Sequence, residues 1–224
     1  MLALITPIAA VSLVGGLLYT YGVLGYELGR VEVRRTVISE LRTIAGYREL
    51  WLLGIVLGLG VALFDNMSIW LESVLSSVKL SDIAGISVAL SLLLGLIGVI
   101  IIPTPVTRRN RRTLYIRLVT LAGIITYGSL SLYTTRYTVL TLIPIIGFLM
   151  LPAYPLIMEW ISRFYPKDLH GSASGFIGFV SRIFTVALAS AAVFFIESPR
   201  SYFAFLAALT VIAFIIAQLL PPEK

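Results

Sequence analysis

Long apolar stretches, separated by short polar connectors, run along almost the whole chain. A helix needs roughly 20 mostly apolar residues to cross the hydrocarbon core of a bilayer, which is about 30 Å thick. Seven stretches reach that length, at residues 2–24, 50–75, 82–102, 114–133, 138–162, 172–196 and 202–220. This pattern predicts an all-α membrane protein with seven transmembrane helices.

The positive charges are distributed unevenly among the connectors. Twelve lysine and arginine residues fall in the connector at 25–49, in the loop after the third stretch, in the turn after the fifth and in the tail at 221–224. The alternate connectors hold only Lys79, Arg136 and Arg200. Because positively charged loops stay in the cytoplasm, we expect a plasma-membrane protein with its N-terminus outside and its C-terminus in the cytoplasm.

Composition supports a membrane protein and argues against several other classes. The chain is 58% hydrophobic and 12% charged, whereas soluble domains average about 45–50% and 25%. It contains no cysteine and a single histidine, His170, which argues against thiol chemistry and an ordinary zinc site. The net charge of +6 lies in connectors rather than on one polar face. We therefore expect a lipid bilayer as the environment, no nucleic-acid partner and no cofactor.

Two other classes of seven-span protein lack their key residues here. A retinal protein requires a lysine inside a helix, but Lys79, Lys167 and Lys224 all lie in connectors or the tail. An intramembrane protease requires paired acids, a Ser and His arrangement or metal ligands on facing helices. Asp65 has no second aspartate at a matching depth, and His170 lies in a turn. The sequence therefore predicts no enzyme.

The connector at residues 25–49 contains a helical pattern. Val33, Val37, Leu41 and Ile44 fall on one stripe at helical spacing, with Glu40 at its border. This predicts an amphipathic helix on the cytoplasmic membrane surface. The alternative is a solvated charged linker.

Polar residues inside the predicted spans indicate a cavity. A charge at the centre of a membrane helix costs about 2.5–3.5 kcal/mol on insertion scales. Asp65 lies about 22 Å and Arg182 about 15 Å from the cytoplasmic ends of their helices, so the two charges can pair if these helices are neighbours. Together with Asn66 and Ser68 they predict a substrate or ion cavity. The alternative is a structural ion pair, or an arginine that reaches toward the interface.

A second polar group lies near the predicted cytoplasmic surface. Glu159 is about one turn from the end of the fifth predicted helix, within reach of the basic cluster that contains Arg108, Arg111 and Arg112. This predicts either a cytoplasmic gate or a contact that ties two helix ends together.

Glycines and prolines mark two of the predicted helices. Small residues predict a narrow start to the sixth helix, against which a neighbouring backbone packs closely; they are Gly171, Ser172, Ser174, Gly175 and Gly178. Pro144, Pro152 and Pro155 predict interruptions of the fifth.

Three segments carry a likeness to a known family. YPLIMEWISRFYPKDLHGSASGF, residues 154–176, resembles the tenth helix, cytoplasmic turn and eleventh helix of a major facilitator superfamily transporter. The family's pattern P-x-x-x-x-G-x-A-x-G falls on Pro166, Gly171, Ala173 and Gly175. ISELRTIAGYRELWLLG, residues 38–54, is similar to the end of the family's central loop entering its seventh helix.

The third segment is PTPVTRRNRRTL, residues 103–114, which resembles the basic loop G-x-x-x-D-R-x-G-R-R between the family's eighth and ninth helices. Arg108, Arg111 and Arg112 fit the pattern, whereas Pro103 and Thr107 occupy its glycine and aspartate places.

The likeness implies a particular organisation. Residues 50–220 correspond to the family's C-terminal six-helix bundle, preceded by one extra helix at 1–24 and a linker at 25–49. It also implies a secondary transporter that moves a small-molecule solute by alternating access, as a half-size or truncated protein. Its partner is then a separate N-terminal half chain or a second copy of this one. The alternative is a non-transporting fragment, or a membrane partner protein that needs a separate N-terminal half.

Overall fold

Six of the seven predicted spans are confirmed. The computed structural model describes residues 37–221, so the predicted first helix, residues 25–36 of the linker and residues 222–224 of the tail lie outside the described residues. Within the described range, six helical segments are long and apolar enough to cross a membrane. They are Arg48–Ser76, Ser81–Arg108, Arg112–Leu132, Arg136–Phe164, Lys167–Phe195 and Pro199–Gln218.

Several of these segments consist of more than one helix. The α-helices in chain order are α1 Val37–Ala45, α2 Arg48–Ser76, α3 Ala84–Ile101, α4 Pro103–Arg108, α5 Arg112–Leu132, α6 Arg136–Met150, α7 Ala153–Phe164, α8 His170–Ala192 and α9 Pro199–Gln218. Single 3₁₀ turns at Ser81–Ile83 and Lys167–Leu169 lead into α3 and α8, and a third at Val193–Phe195 follows α8.

The predicted interruption of the fifth span is confirmed at Pro152, whereas Pro144 and Pro155 lie within α6 and α7 and do not break them. The chain leaves α6 at Met150 and enters α7 at Ala153, because Pro152 has no backbone N–H with which to continue the helix. The break leaves carbonyl groups in the last turn of α6 without intrahelical donors. The Tyr115 hydroxyl of α5 donates a hydrogen bond to one of them, on Leu149. A neighbouring helix thus satisfies the broken backbone, as a membrane helix requires.

The described helices pack chiefly in three pairs: α2 with α8, α5 with α9, and α3 with α6. Helix α9 also contacts α2 and so joins two of these pairs. One end of the bundle, here called the basic end, is where α2, α5 and α8 begin and α7 and α9 finish. At the opposite end, Arg136 Nη2 lies 2.6 Å from Asp82 Oδ2 in an exposed ion pair.

Buried apolar side chains form two clusters along the described bundle. The first lies toward the basic end and includes Ile44, Leu50, Leu53, Trp160, Ala173 and Ala217. The second lies toward the opposite end and includes Leu63, Met67, Leu71, Tyr127, Tyr202 and Phe203. Helix α2 contributes residues to both clusters and so links the two ends of the described bundle.

The linker contains the predicted helix, α1. Its last turn places Ile44 in the basic-end cluster, fully buried. The Ser172 hydroxyl at the start of α8 donates a hydrogen bond to the Glu40 carboxylate. A solvated linker is therefore wrong for residues 37–45, because this segment packs against the bundle.

The predicted close approach of a neighbouring backbone is not found at the glycines of α8. Among the described residues, a Cβ atom added at Gly171, Gly175 or Gly178 meets no atom within 4 Å. Helix α8 instead turns its buried residue Ser181 toward α2, where the glycines of α2 allow the close approach. A Cβ atom on Gly58 would lie 3.0 Å from the Ser181 Cα atom.

Helices α3 and α6 approach each other most closely through small residues. A Cβ atom at Gly147 of α6 would contact the Ser91 hydroxyl and lie 2.6 Å from the Ser91 carbonyl oxygen. Gly95 and Gly98 of α3 face α6 in the same way. Small residues at such positions let membrane helices pack by van der Waals contact between backbones.

We expect Gly147→Ala to separate α3 from α6, because the added methyl group has a backbone on its far side that cannot rotate away. Overpacking of this kind costs about 1–3 kcal/mol. Gly128→Ala in α5 is the matched control, since its Cβ atom meets nothing within 4 Å. Thermal unfolding in detergent should show a lower midpoint for Gly147→Ala alone. Equal midpoints for the two variants would contradict this packing.

Candidate functional site

The predicted ion pair between Asp65 and Arg182 is present. Helices α2 and α8 lie side by side, and Arg182 Nη1 is 3.4 Å from Asp65 Oδ2. The Arg182 side chain is 73% exposed and that of Asp65 33% exposed. The two helices are neighbours and the depths of the two residues differ by only about 7 Å, which an arginine side chain can span. The role of the pair in binding a solute stays a prediction.

The surface of α8 around Arg182 is open. Gly171, Gly175 and Gly178 precede Arg182 at spacings of four, three and four residues, so all four share one face of the helix. We call this surface the open face of α8. The glycines carry no side chains that could cover the guanidinium group, which explains its exposure in the described bundle.

Asn66 and Ser68 do not join the charged pair. Asn66 is fully buried, and its amide nitrogen donates to the Ala62 carbonyl at 2.8 Å. Its amide oxygen has no hydrogen-bond partner in the described part of the chain. Ser68 is exposed and donates to the Phe64 carbonyl of its own helix at 3.0 Å. A step of one residue turns a helix by about 100°, which carries Asn66 away from the face of Asp65.

A cavity of about 160 Å³ opens in the middle of the bundle, beside Asp65. Helix α2 lines it from Val56 to Asp65, between the two apolar clusters, and α5, α6, α7 and α9 complete the wall. The lining is almost entirely apolar, and Asp65 is the charged residue among the described side chains that form it. Sequence reasoning missed this cavity, because its walls come from helices that are distant in the chain.

At the basic end, Glu159 of α7 pairs with Arg112 at the start of α5. Arg112 Nη2 donates to Glu159 Oε1 at 2.8 Å, and Arg112 Nε donates to Glu159 Oε2. The Arg112 side chain is fully buried, and its guanidinium carbon lies 5.8 Å from the centre of the Phe164 ring. This bidentate salt bridge holds the end of α7 against the start of α5.

The remaining residues of the predicted basic cluster are arranged differently. Arg108 and Arg111 are exposed and form no ion pair with Glu159 among the described contacts. The chain turns at Asn110, whose φ of 48° is left-handed, a conformation that asparagine tolerates well. Arg163 Nη1 lies 3.8 Å from Glu159 Oε1. Its position four residues after Glu159 on the same helix is the sequence signal that predicts this contact.

Arg117 has a structural role that sequence reasoning missed. Its Nε atom donates to the Ala217 carbonyl at 3.1 Å, and its Nη2 atom donates to the Gln218 and Leu220 carbonyls at 3.2 Å. These carbonyl groups lie at and just beyond the C-terminus of α9, where a positive charge also opposes the negative end of the helix dipole.

Polar contacts also link α2, the turn after α7 and α8. The Tyr165 hydroxyl donates to Glu49 Oε2 at 3.2 Å. Burial, followed by the negative charge of Glu49, raises the pKa of Tyr165 above its usual value, so the hydroxyl keeps its proton and remains a donor. His170 Nε2 lies 2.7 Å from the Tyr165 carbonyl oxygen. The hydrogen bond between His170 and the Tyr165 carbonyl therefore connects the start of α8 to the turn that precedes it.

We expect Glu159→Gln to destabilise the protein by about 3 kcal/mol, because it removes the negative charge that faces a buried guanidinium group. Arg163→Ala is the control, since it removes the exposed partner of the same carboxylate and should cost less than about 1 kcal/mol. Denaturant unfolding in detergent, followed by circular dichroism, measures both changes. If the two variants lose equal stability, the buried pair of Arg112 with Glu159 does not stabilise the fold as proposed.

Six spans, two of them joined by an ion pair between their membrane segments, define an integral helical membrane protein. The sequence model of the Major Facilitator Superfamily matches residues 1–189. The chain therefore belongs to this superfamily of membrane transporters. It is also similar to an uncharacterized protein of Archaeoglobus fulgidus, with 24% identity over 166 residues that cover 74% of this chain and 76% of that protein.

Proposed function

We propose that this chain is a secondary transporter that moves a small solute by alternating access. Residues 50–220 would form the C-terminal half-domain of the superfamily, preceded by the extra helix at 1–24 and the linker at 25–49. The solute passage would lie along the open face of α8, with Asp65 and Arg182 on its wall. A separate N-terminal half chain or a second copy of this chain would supply the opposite wall.

The observation that carries this proposal is the exposure of Arg182 inside a membrane span. Its side chain is 73% exposed, and its described ion-pair partner, Asp65, touches it from one side. A guanidinium group in that position cannot face hydrocarbon without a large penalty. It therefore requires water or a polar partner, and a solute passage provides both.

The charge distribution supports an orientation. Among the described connectors, eight basic residues lie at the basic end, against Lys79, Arg136 and Arg200 at the other. We propose that the basic end is cytoplasmic and that the protein resides in the plasma membrane. The contact of Glu159 with Arg112 then lies at the cytoplasmic end of the passage. The full burial of Arg112 favours a lasting tie between helix ends over a gate that opens in each cycle.

The alternative function is a membrane partner protein that transports nothing without a separate N-terminal half. The same exposed Arg182 supports it, because an incomplete passage leaves polar groups at the bilayer. Transport by the isolated chain separates the two functions.

If a second copy of the chain supplies the opposite wall, we expect vesicles that contain the purified chain to accumulate at least one class of labelled solute, tested as sugars, amino acids, organic anions and organic cations. Asp65→Asn and Arg182→Ala should each lower saturable uptake by roughly tenfold or more, since a charged hydrogen bond is worth about 1.5–3 kcal/mol.

Glu72→Gln is the matched control for uptake, because Glu72 is an exposed carboxylate on the same helix and its removal should leave uptake unchanged. Absence of uptake for every solute class would contradict autonomous transport. Uptake that survives both substitutions in the ion pair would remove the pair from the mechanism.

Labelling of single cysteines tests the orientation, because the chain has no native cysteine. In intact cells, a thiol reagent that cannot cross the membrane should modify Lys79→Cys and leave Arg108→Cys unmodified. Both residues are exposed, so access to the correct compartment should decide the result. Equal labelling of the two variants would refute the proposed topology.

A further inference from the structure

We propose that the cavity beside Asp65 binds the apolar part of a small organic cation, whose ammonium group replaces Arg182 as the partner of the carboxylate. This names the solute class of the site described above and rests on the proposed function for the transport step alone. Binding itself requires only the cavity and the ion pair.

The size of the cavity limits what fits inside it. Its volume of about 160 Å³ is close to that of an engineered apolar cavity of about 150 Å³ that binds benzene. Pockets that enclose a whole drug-sized ligand are larger, about 300–1,000 Å³. The cavity therefore holds a single aromatic ring or a short alkyl group, and the rest of the solute extends past Asp65 to the open face of α8.

The lining selects an apolar group with positive charge. Thr120 and Thr210 line the cavity, but their hydroxyl groups donate to the Ile116 and Leu206 carbonyls of their own helices. They offer no spare donor to a solute rich in hydroxyl groups, whose burial without partners is costly. The charged group at this wall is the Asp65 carboxylate, which attracts a cation.

Aromatic side chains strengthen the case for a cation. Phe64 and Tyr154 line the same cavity as Asp65. The faces of aromatic rings attract ammonium groups, and the same rings pack well against an apolar solute.

The ion pair is arranged for exchange of one cation for another. The distance of 3.4 Å between Arg182 and Asp65 exceeds the 2.7–2.9 Å of a strong charged hydrogen bond. The long and exposed arginine stem has room to move along the open face. A cationic solute keeps one positive partner on the carboxylate throughout. An anionic solute would instead place a second negative charge beside Asp65, which is unfavourable at low dielectric.

The test uses the full chain in lipid nanodiscs and measures equilibrium binding by calorimetry, with empty nanodiscs as the blank. The probe is phenethylammonium, and the size-matched comparisons are neutral 2-phenylethanol and anionic 3-phenylpropionate. We expect saturable binding of the ammonium compound, with binding of both comparisons at least tenfold weaker.

Variants separate recognition by charge from non-specific partition. Asp65→Asn should weaken binding of phenethylammonium by roughly ten- to hundredfold, and Glu72→Gln should leave it unchanged. Arg182→Gln should strengthen it, because the variant removes the competing cation. If Arg182→Gln instead weakens binding, or if 3-phenylpropionate binds preferentially, the inference is overturned.

A second pair of variants tests the cavity without touching the charges. A Cβ atom at Gly60 meets Met150 Cε at 3.9 Å, across open space. Gly60→Leu should therefore fill the cavity and abolish binding without disturbing a neighbouring backbone. Gly128→Leu, at an open position outside the cavity, should bind normally. Unchanged binding by Gly60→Leu would place the ligand elsewhere and overturn the proposal.

Binding and uptake measurements together separate failure of the cation site from failure of autonomous transport. Binding of phenethylammonium without uptake of any solute would support the site and contradict autonomous transport. Saturable uptake of another solute class, with no binding of phenethylammonium, would support transport and overturn the cationic solute.

Discussion

The cost of placing charge in hydrocarbon is the constraint on which the rest of this structure depends. Asp65 and Arg182 lie inside adjacent spans and contact each other at 3.4 Å, yet the arginine side chain remains 73% exposed. Pairing alone does not shield it, so the open face of α8 requires water, a solute or a polar partner. The solute passage proposed along this face would meet that requirement.

Apolar packing and polar contacts join the helices on both sides of the cavity. Two apolar clusters flank the cavity along α2, and Arg112, held by Glu159, fixes the basic end. Arg117 caps α9 from α5 at the same end. These contacts join the helices that surround the cavity, which Asp65 lines.

The sequence predicts the parts of this structure that depend on composition along one helix. Hydropathy locates the six described spans, and helix rise places Asp65 and Arg182 at depths that differ by only about 7 Å, within reach of an arginine side chain. The rotation of each helix about its axis is set by contacts with distant helices. This is why no described neighbour packs closely against the glycines of α8, why Asn66 lies on a different face from Asp65, and why the sequence contains no local signal for the cavity. The cap formed by Arg117 likewise joins residues a hundred positions apart in the chain.

If a solute passage runs along the open face of α8, that face borders water within the membrane, and cysteine accessibility measures this contact with water. Gly178 lies on the face of Arg182, whereas Ile183, exposed one residue beyond Arg182, is turned about 100° away from it. In the cysteine-free background, Gly178→Cys should react with a charged thiol reagent and Ile183→Cys should not. If both cysteines are unreactive, the face of α8 that carries Arg182 does not contact water, and the proposed solute passage is wrong.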